Sequence, residues 1–239
     1  MPGIRLDAAS YAVTGREILS NLSFTLTERR IAVIGRNGSG KTTLLRLMAG
    51  LIAPSSGTVQ VEGMDPARDR KAMLDRLGIL FQNPDHQIIF PTVGEELAFG
   101  LKQQGRTSDE AAGLVSDLLA RHGRTHWEKA PVQTLSHGQR HFLCLLAILA
   151  MQPATILLDE PFAGFDMPTI ARMSRMFDAL PQRLIAITHA PHTAANADRV
   201  LWLEAGRIRA DGRPGDVLPQ FEAEMARMGA VDADTDLAL

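Results

Sequence analysis

One short stretch of this chain, GRNGSGKTT at residues 35–43, constrains the fold more than any other. The residues before it, RRIAVIG, form an apolar and β-branched run that is typical of a buried strand. The residues after it, KTTLLRLMAGL, have the apolar spacing of a helix. The pattern G-x-x-x-x-G-K-[ST] between a strand and a helix predicts a loop whose backbone N–H groups surround phosphate oxygens. We therefore expect a nucleotide-binding α/β core.

Each residue type in this loop suits phosphate binding. Glycines permit the tight turn, and the positive end of the following helix attracts phosphate. Lys41 is long enough to reach the terminal phosphates, and the Thr42 hydroxyl is a candidate ligand of Mg²⁺. The predicted nucleotide-binding residues of the loop are Gly35, Arg36, Asn37, Gly38, Ser39, Gly40, Lys41, Thr42 and Thr43. The alternative is a Gly-rich turn with no ligand, which the strand–loop–helix context disfavours.

A second apolar strand-like run, ATILLDEP at residues 154–161, is followed by two carboxylates. Asp159 is a candidate to hold the metal, and Glu160 is a candidate to polarise the attacking water. Two surface acids after a strand are the simpler interpretation, which the pairing with the phosphate loop disfavours. Many nucleotide kinases share both features, so these residues alone predict a P-loop hydrolase or transferase.

Composition excludes several classes of protein. The 239 residues are 45% apolar and suffice for one large domain. A formal net charge of −2 gives no reason to expect nucleic-acid binding. Cys144 lies in FLCLLAILAM, a run too short to span a membrane, and as the one cysteine it fits a buried position in a reducing cytosol. Because the N-terminus also lacks a signal-peptide pattern, we expect any work at a membrane to need a partner subunit.

Strand-like runs lie on both sides of a helix-rich middle section. SSGTVQVEG and LGILF come before it, and RLIAITH and RVLWLEAG follow it. Between about residues 84 and 153 two stretches have helical spacing, TSDEAAGLVSDLLARHG and HGQRHFLCLLAILAM. We expect the acidic end, DADTDLAL, to fray. The pattern predicts an α/β core with a mostly helical insertion at its middle.

LSHGQ at residues 135–139 narrows the function. Ser136 and Gln139 have the spacing of a capping box before a long apolar helix, which predicts a helix start. An open helix N-terminus with a serine hydroxyl and Gly138 is also a candidate anion site. The stretch resembles the signature LSGGQ of ATP-binding-cassette (ABC) ATPases and differs from it only by His137. Other positions that match this family follow in order across nearly the whole chain.

The resemblance implies a fold and its boundaries. The expected fold is α/β, with a P-loop (RecA-like) core, a mostly parallel sheet, an N-terminal antiparallel β part and an inserted helical subdomain. The whole chain, 1–239, is expected to be a single domain. Its core would comprise about 1–83 and 154–220, its insertion 84–153 and its C-terminal tail 221–239.

The resemblance also implies roles for individual residues. The signature, Leu135, Ser136, His137, Gly138 and Gln139, would close over the γ-phosphate of ATP held by a second copy, which makes ATP the link of a homodimer. Phe165 and Asp166 match the loop that joins the two sites, and Tyr11 matches an adenine-stacking aromatic, although alone it reads as a strand residue. The implied cofactors are ATP and Mg²⁺. The implied catalytic residues are Glu160, His189 and Gln82, and the implied metal ligands are Thr42, Gln82 and Asp159.

The segment FQNPDHQIIFPTVGEELAFG, residues 81–100, is similar to the corresponding segment of energy-coupling-factor (ECF) importer ATPases. Its two prolines limit where short helices begin and end, and its acids stand beside apolar side chains. An apolar groove with an acidic rim suits an amphipathic helix that carries arginine. A solvated loop with inward-packed apolar residues is the alternative. The implied partner-groove residues are Asp85, Gln87, Ile88, Phe90, Glu95 and Glu96.

The resemblance therefore implies the ATP-hydrolysing subunit of an ECF-type importer. Its expected partners are a second copy, an integral membrane coupling subunit and a substrate-binding membrane subunit, but no nucleic acid. The expected location is peripheral, at the cytoplasmic face of the inner membrane. Biotin is the favoured cargo, and cobalt or nickel is the alternative. A soluble ABC ATPase acting on nucleic acid is disfavoured by the near-neutral charge and short insertion, and a P-loop kinase by LSHGQ and His189.

Overall fold

The structure is a computed structural model that describes residues 3–230; the expected fraying of DADTDLAL lies outside these residues. Its strands are β1 (Ile4–Val13), β2 (Arg16–Leu26), β3 (Arg30–Ile34), β4 (Ser56–Val61), β5 (Leu77–Leu80), β6 (Thr155–Asp159), β7 (Arg183–Thr188), β8 (Arg199–Glu204) and β9 (Arg207–Gly212). Its helices are α1 (Lys41–Met48), α2 (Arg70–Met73), α3 (Val93–Gln103), α4 (Ser108–Arg121), α5 (His137–Ala150), α6 (Met167–Ala179), α7 (Pro191–Ala194) and α8 (Pro214–Ala230). Short 3₁₀ turns occupy Pro84–His86, Thr125–Trp127 and Val132–Thr134.

The main sheet has the strand order β5-β6-β7-β3-β8-β9, and only β9 runs antiparallel to its neighbour. All of β6, and β3 after Arg30, are buried, which explains why these strands are continuous apolar runs in the sequence rather than alternating ones. Ile34 at the end of β3 lies beside Thr188 of β7, and Asp159 of β6 lies beside Ile187. The carboxyl ends of three strands thus meet at one edge. This confirms the predicted α/β fold with a mostly parallel sheet.

A second, antiparallel sheet has the order β2-β1-β4. In β2 the buried residues Leu22, Phe24 and Leu26 alternate with exposed ones, as expected of a sheet with one solvated face. The opposite face, which carries these buried residues, packs into the same apolar cluster as α1 and the main sheet. The expected N-terminal antiparallel part is therefore present.

The helical section forms its own apolar cluster, built from α3, α4 and α5 with Trp127 and Val132. Helix α5 also belongs to the core, because Cys144, Leu145 and Ile148 on another of its faces pack against β5, β6 and α6. One helix thus connects the two clusters, and its first turn carries LSHGQ. Cys144 is fully buried, as expected.

Helix α8 runs through the predicted boundary between residues 220 and 221. Val217, Phe221 and Met225 are spaced four residues apart, so they line one face of a helix. Phe221 is buried and packs edge-to-face on Trp202 of β8, with ring centroids 5.4 Å apart. The chain up to residue 230 is therefore continuous with the core and does not form a separate tail from 221. Among residues 3–230, no helix combines the length and the apolar character needed to cross a bilayer.

Candidate nucleotide site

A cavity of about 520 Å³ opens where the carboxyl ends of β3, β5, β6 and β7 meet. The loop after each strand contributes side chains to it, because parallel neighbouring strands deliver their following residues to one edge. The cavity is lined by Ile18, Asn37, Gly38, Gly40, Lys41, Thr42, Thr43, Gln82, Asp159, Glu160 and His189. Sequence positions from 18 to 189 are thus gathered around one space. Ile18 was not predicted, since nothing distinguishes it from other apolar strand residues.

The phosphate loop has a shape that only glycine allows at two positions. A Cβ at Gly35 would lie 2.2 Å from the Leu203 carbonyl oxygen, and Gly40 has a φ of 103° at the start of α1. The Lys41 ammonium donates to the carbonyl oxygens of Gly35 and Arg36 at 2.8 and 2.9 Å. Burial lowers the pKa of Lys41, and the charges of three acids, of which Glu160 acts most strongly, counter this effect.

This loop fits a phosphate group in three respects. The Ser39 hydroxyl is buried and has no hydrogen-bond partner within residues 3–230. The first turn of α1 has no side-chain cap, so its N–H groups are free to face an anion. Nothing lies within 4 Å of where a Cβ of Gly38 would stand, so a ligand has room to approach the backbone there. The orphaned hydroxyl is the most informative of these, because buried polar groups normally have a partner.

The predicted metal ligands supply the oxygen donors that Mg²⁺ prefers. Thr42, Gln82 and Asp159 all line the cavity, and the first two are exposed to it. Asp159 is buried, and burial followed by the neighbouring Glu160 carboxylate raises the pKa of Asp159. A divalent cation would favour the ionised form of Asp159 and so offset both its burial and the repulsion from Glu160. The donor set therefore fits Mg²⁺.

Glu160 directly follows β6, and two residues at the end of β7 hold its side chain. Its Oε1 lies 2.8 Å from Nδ1 of His189, and its Oε2 accepts a hydrogen bond from the Thr188 hydroxyl at 3.1 Å. Thr188 in turn accepts from the backbone N–H of Ala190. Glu160 has a φ of 47°, a conformation that residues other than glycine rarely adopt. The structure thus places His189 against Glu160, at the wall of the cavity.

Tyr11 does not line this cavity. It pairs with Leu19 across β1 and β2, and it packs against the apolar cluster below the antiparallel sheet. Its position therefore agrees with the simpler interpretation as a strand residue. Adenine stacking by Tyr11 stays a prediction.

The signature residues open onto a different cavity, of about 580 Å³. It is lined by Arg124, Trp127, Ser136, His137, Gly138, Gln139, Phe142, Gly164, Phe165, Asp166, Thr169, Arg172, Met173 and Met176. The capping box is present, because the Ser136 hydroxyl accepts from the Gln139 N–H at 3.3 Å and Gln139 Oε1 accepts from the Ser136 N–H at 2.8 Å. Leu135 is buried beneath the turn. The signature and phosphate cavities share no lining residue.

Phe165 joins the signature helix to the loop before α6. Its ring centroid lies 5.7 Å from that of His137 and 5.0 Å from that of His141. Asp166 caps α6 by accepting from the Thr169 N–H at 2.9 Å. His141 was not predicted, although it stands four residues after His137 on the same helix face. Burial, followed by the charge of His137, lowers the pKa of His141 to about 4.

A third cavity, of about 640 Å³, lies on the helical section at the predicted partner groove. It is lined by Asp85, Phe90, Pro91, Thr92, Pro131, Val132, Gln133 and Arg140. Asp85 forms an ion pair with Arg140, at 2.9 Å between Oδ1 and Nε. Phe90 packs on Phe99, and the neighbouring Ile89 is 69% exposed. An apolar surface with an acidic residue at its edge is thus present.

Four of the six predicted groove residues do not line this cavity. Glu96 is only 6% exposed, and its Oε2 accepts from the N–H groups of Ile89 and Phe90 at 2.9 Å each. Gln87 accepts from the N–H of Phe81, Ile88 packs between two apolar clusters, and Glu95 bonds the Thr92 hydroxyl. The prediction that Glu96 belongs to an acidic rim is therefore wrong, because its buried carboxylate satisfies two partly buried backbone donors.

Comparison with known proteins agrees with this geometry. The family model described as ABC transporter matches residues 19–163. The biotin transport ATP-binding protein BioM of Rhodobacter capsulatus is 49% identical over 96% of this chain and 100% of its own length. The energy-coupling factor transporter ATP-binding protein EcfA1 of Lacticaseibacillus paracasei is 34% identical over 92% of this chain and 81% of its own length. Among solved structures, cbiO1 from Clostridium perfringens, described as part of the ABC transporter complex cbiONQ, superposes with a TM-score of 0.78 at 28% identity, covering 93% of this chain and 92% of that one.

Proposed function

Since the chain belongs to the ABC transporter family and is an ATP-hydrolysing transport subunit, we propose that two copies of it drive biotin uptake through integral membrane partners. The partners in this proposal are a coupling subunit and a substrate-binding subunit, with the ATPase bound at the cytoplasmic face of the membrane. The biotin assignment rests on the likeness to BioM. Cobalt or nickel as the cargo of the same kind of complex is the alternative.

One observation carries the proposal that two copies act together. Lys41, Glu160 and His189 line one cavity, while Ser136 and Gly138 line another that shares none of its residues. Within one chain the signature therefore does not border the nucleotide cavity. Two copies related by a twofold axis place each signature over the other copy's phosphate loop and so complete two sites at once.

In this assembly each residue has a defined task. The Lys41 ammonium and the N–H groups of α1 bind the phosphates. Thr42, Gln82 and Asp159 would hold Mg²⁺, which supplies positive charge beside the phosphate oxygens. The Glu160 carboxylate, oriented by Thr188 and His189, accepts a proton from the attacking water.

The catalytic assignment is tested with Glu160→Gln, which keeps the shape of the side chain and removes the base. We expect ATP binding to persist and hydrolysis to fall by a factor of about 100 or more. Sedimentation should then show a dimer with Mg-ATP and a monomer or open pair without it. Hydrolysis near the wild-type rate would exclude Glu160 as the base. A variant that stays monomeric at saturating ATP would exclude the homodimer.

The shared sites are tested by mixing two inactive chains. Lys41→Ala removes the phosphate contact, and Ser136→Arg blocks the signature. A heterodimer of the two retains about one intact site, so activity should return when they are mixed. Each variant mixed with itself is the control. No recovery, with heterodimers demonstrated by differently tagged chains, would contradict sites shared between copies.

The membrane contact is tested at the groove. Ile89→Asp places a charge on the exposed apolar side chain beside Phe90, so it should abolish co-purification with the membrane subunits. ATP hydrolysis by the isolated chain should remain. Leu51→Asp, at an exposed leucine outside the groove, is the matched control and should retain both properties. If Ile89→Asp and Leu51→Asp lost co-purification with the membrane subunits to the same extent, the groove would not be the docking surface.

The cargo is tested by transport. Cells that express the chain with its membrane partners should accumulate labelled biotin, and Glu160→Gln should stop this accumulation. Labelled cobalt and nickel are offered in parallel. Uptake of a metal without uptake of biotin would replace the biotin assignment and leave the ATPase assignment intact.

A further inference from the structure

Met167 is the most exposed large apolar side chain within residues 3–230, at 83% exposure. It is the first residue of α6 and directly follows Asp166, which lines the signature cavity. A single exposed methionine on a surface needs no explanation. This one stands beside the surface that, in the proposed homodimer, faces the other copy.

An apolar cavity of about 560 Å³ lies beside the phosphate loop and against α8. Pro191, Phe221 and Met225 supply its apolar walls; we call it the α8 cavity. The remaining lining residues are Gly35, Arg36, Asn37, His189 and Glu222. Asn37 and His189 also line the phosphate cavity, so the two spaces adjoin.

Arg36 places a positive charge at this cavity. Its guanidinium is exposed and contacts the sulfur of Met228 at 3.3 Å, and within residues 3–230 it has no ion-pair partner. Asp166 on the opposite surface is exposed; its carboxylate bonds the backbone N–H and the side chain of Thr169, and the charge of Arg172 acts on it. Arg36 at the α8 cavity and Asp166 beside Met167 thus have opposite charges, and both surfaces present apolar side chains.

The proposed homodimer brings these surfaces together. The signature of one copy faces the phosphate cavity of the other, and Phe165 and Asp166 line the same space as the signature. Met167 is the next residue after Asp166, so in this dimer it lies close to the other copy's phosphate loop. The adjoining apolar space there is the α8 cavity.

We infer that Met167 of one copy seats in the α8 cavity of a second copy, with Asp166 beside the partner's Arg36. The inference rests on the proposed homodimer and adds α8 to its interface. A twofold axis makes the contact twice. Helix α8 then helps to select the ATPase with which this chain pairs. A different ATPase that has no apolar residue at the position equivalent to Met167 would leave the α8 cavity unfilled.

The contact is tested by crosslinking in the Glu160→Gln background. A chain carrying Met167→Cys and Met225→Cys should form a disulfide-linked dimer on mild oxidation with Mg-ATP and little without it. The native Cys144 does not interfere, because it is fully buried and burial raises the pKa of its thiol to about 12. Met167→Cys combined with Leu51→Cys, an exposed site away from the α8 cavity, is the control and should not crosslink.

A second variant measures the contribution to association. Met167→Gln should weaken ATP-driven dimerisation at least about tenfold, because two methionine side chains lose their apolar burial. Its thermal midpoint should match that of the parent, since the side chain is exposed in one copy. A parent that forms no ATP dimer overturns the homodimer and this inference with it. A parent that dimerises, without crosslinking at Met225 and without weakening by Met167→Gln, overturns this inference alone.

Discussion

Replacing His141 with leucine should make the protein more resistant to acid. His141 is 1% exposed, and neither ring nitrogen has a hydrogen-bond partner within residues 3–230. Burial is the main reason that its pKa falls from 6.5 to about 4 in the folded protein, and the charge of His137 adds to the effect. The folded protein therefore keeps this ring neutral while the unfolded chain protonates it. The contribution of the neutral His141 ring to the free energy of unfolding is present in full above pH 6.5 and is lost as the pH falls toward 4.

The size of this loss follows from the two pKa values. Each pH unit between them costs about 1.4 kcal/mol, which gives a loss of about 3 kcal/mol for this one ring. At pH 7.5 the leucine variant should be as stable as the wild type or more stable by about 1 kcal/mol, since two unpaired nitrogens leave the core. The ring packs on Phe165, so leucine keeps apolar contact there.

The assay is urea denaturation of both proteins between pH 4 and 7.5. The difference in free energy of unfolding should grow by about 3 kcal/mol as the pH falls from 6.5 to 4. His86→Leu, at an exposed histidine in the turn Pro84–His86, is the control and should show no such growth. A constant difference between wild type and His141→Leu across this range would refute the argument that His141 is neutral in the fold.

Three further changes test how the parts are held together. Glu62→Gln should cost about 2 kcal/mol in urea denaturation, because it removes the charge paired with Arg183 at 2.9 Å, where both side chains are largely buried. Thr107→Ala should cost about 1 kcal/mol by the same measurement, since it removes the capping box of α4, and Thr107→Ser should restore most of it. Arg140→Met should lower transport per ATP hydrolysed, because it removes the guanidinium that joins Asp85 to the signature turn; unchanged coupling in reconstituted vesicles would refute this.

Local signals explain what the sequence predicts well. The phosphate loop, the start of α1 at Lys41 and the capping box at Ser136 depend on residues within a few positions of one another. The buried strands are readable because parallel strands covered on both faces are apolar throughout. Helix α8 carried an equally local signal, the spacing of Val217, Phe221 and Met225, so its continuation past residue 220 was predictable from the sequence.

Non-local packing explains what the sequence does not reveal. Nothing near residue 34 indicates that β3 lies between β7 and β8, yet that order brings Thr188 and His189 to the phosphate loop. Glu95 and Glu96 are chemically alike neighbours, and only the direction of α3 turns Glu96 inward to backbone donors. His141 looks like any polar residue in an amphipathic helix until Phe165 is seen to cover it.

Arg140 connects the groove to the signature through one side chain. Its Nη1 donates to the carbonyl oxygen of Leu135 at 2.8 Å, and its Nε lies 2.9 Å from Asp85 at the groove. Leu135 is the residue before Ser136, so the guanidinium holds the turn that presents the signature hydroxyl. A partner helix that draws Asp85 toward its own cation would remove the charge that holds Arg140. In the proposed importer, we therefore expect this guanidinium to couple movement of the membrane partner to the position of Ser136, while the apolar faces of α5 stay packed.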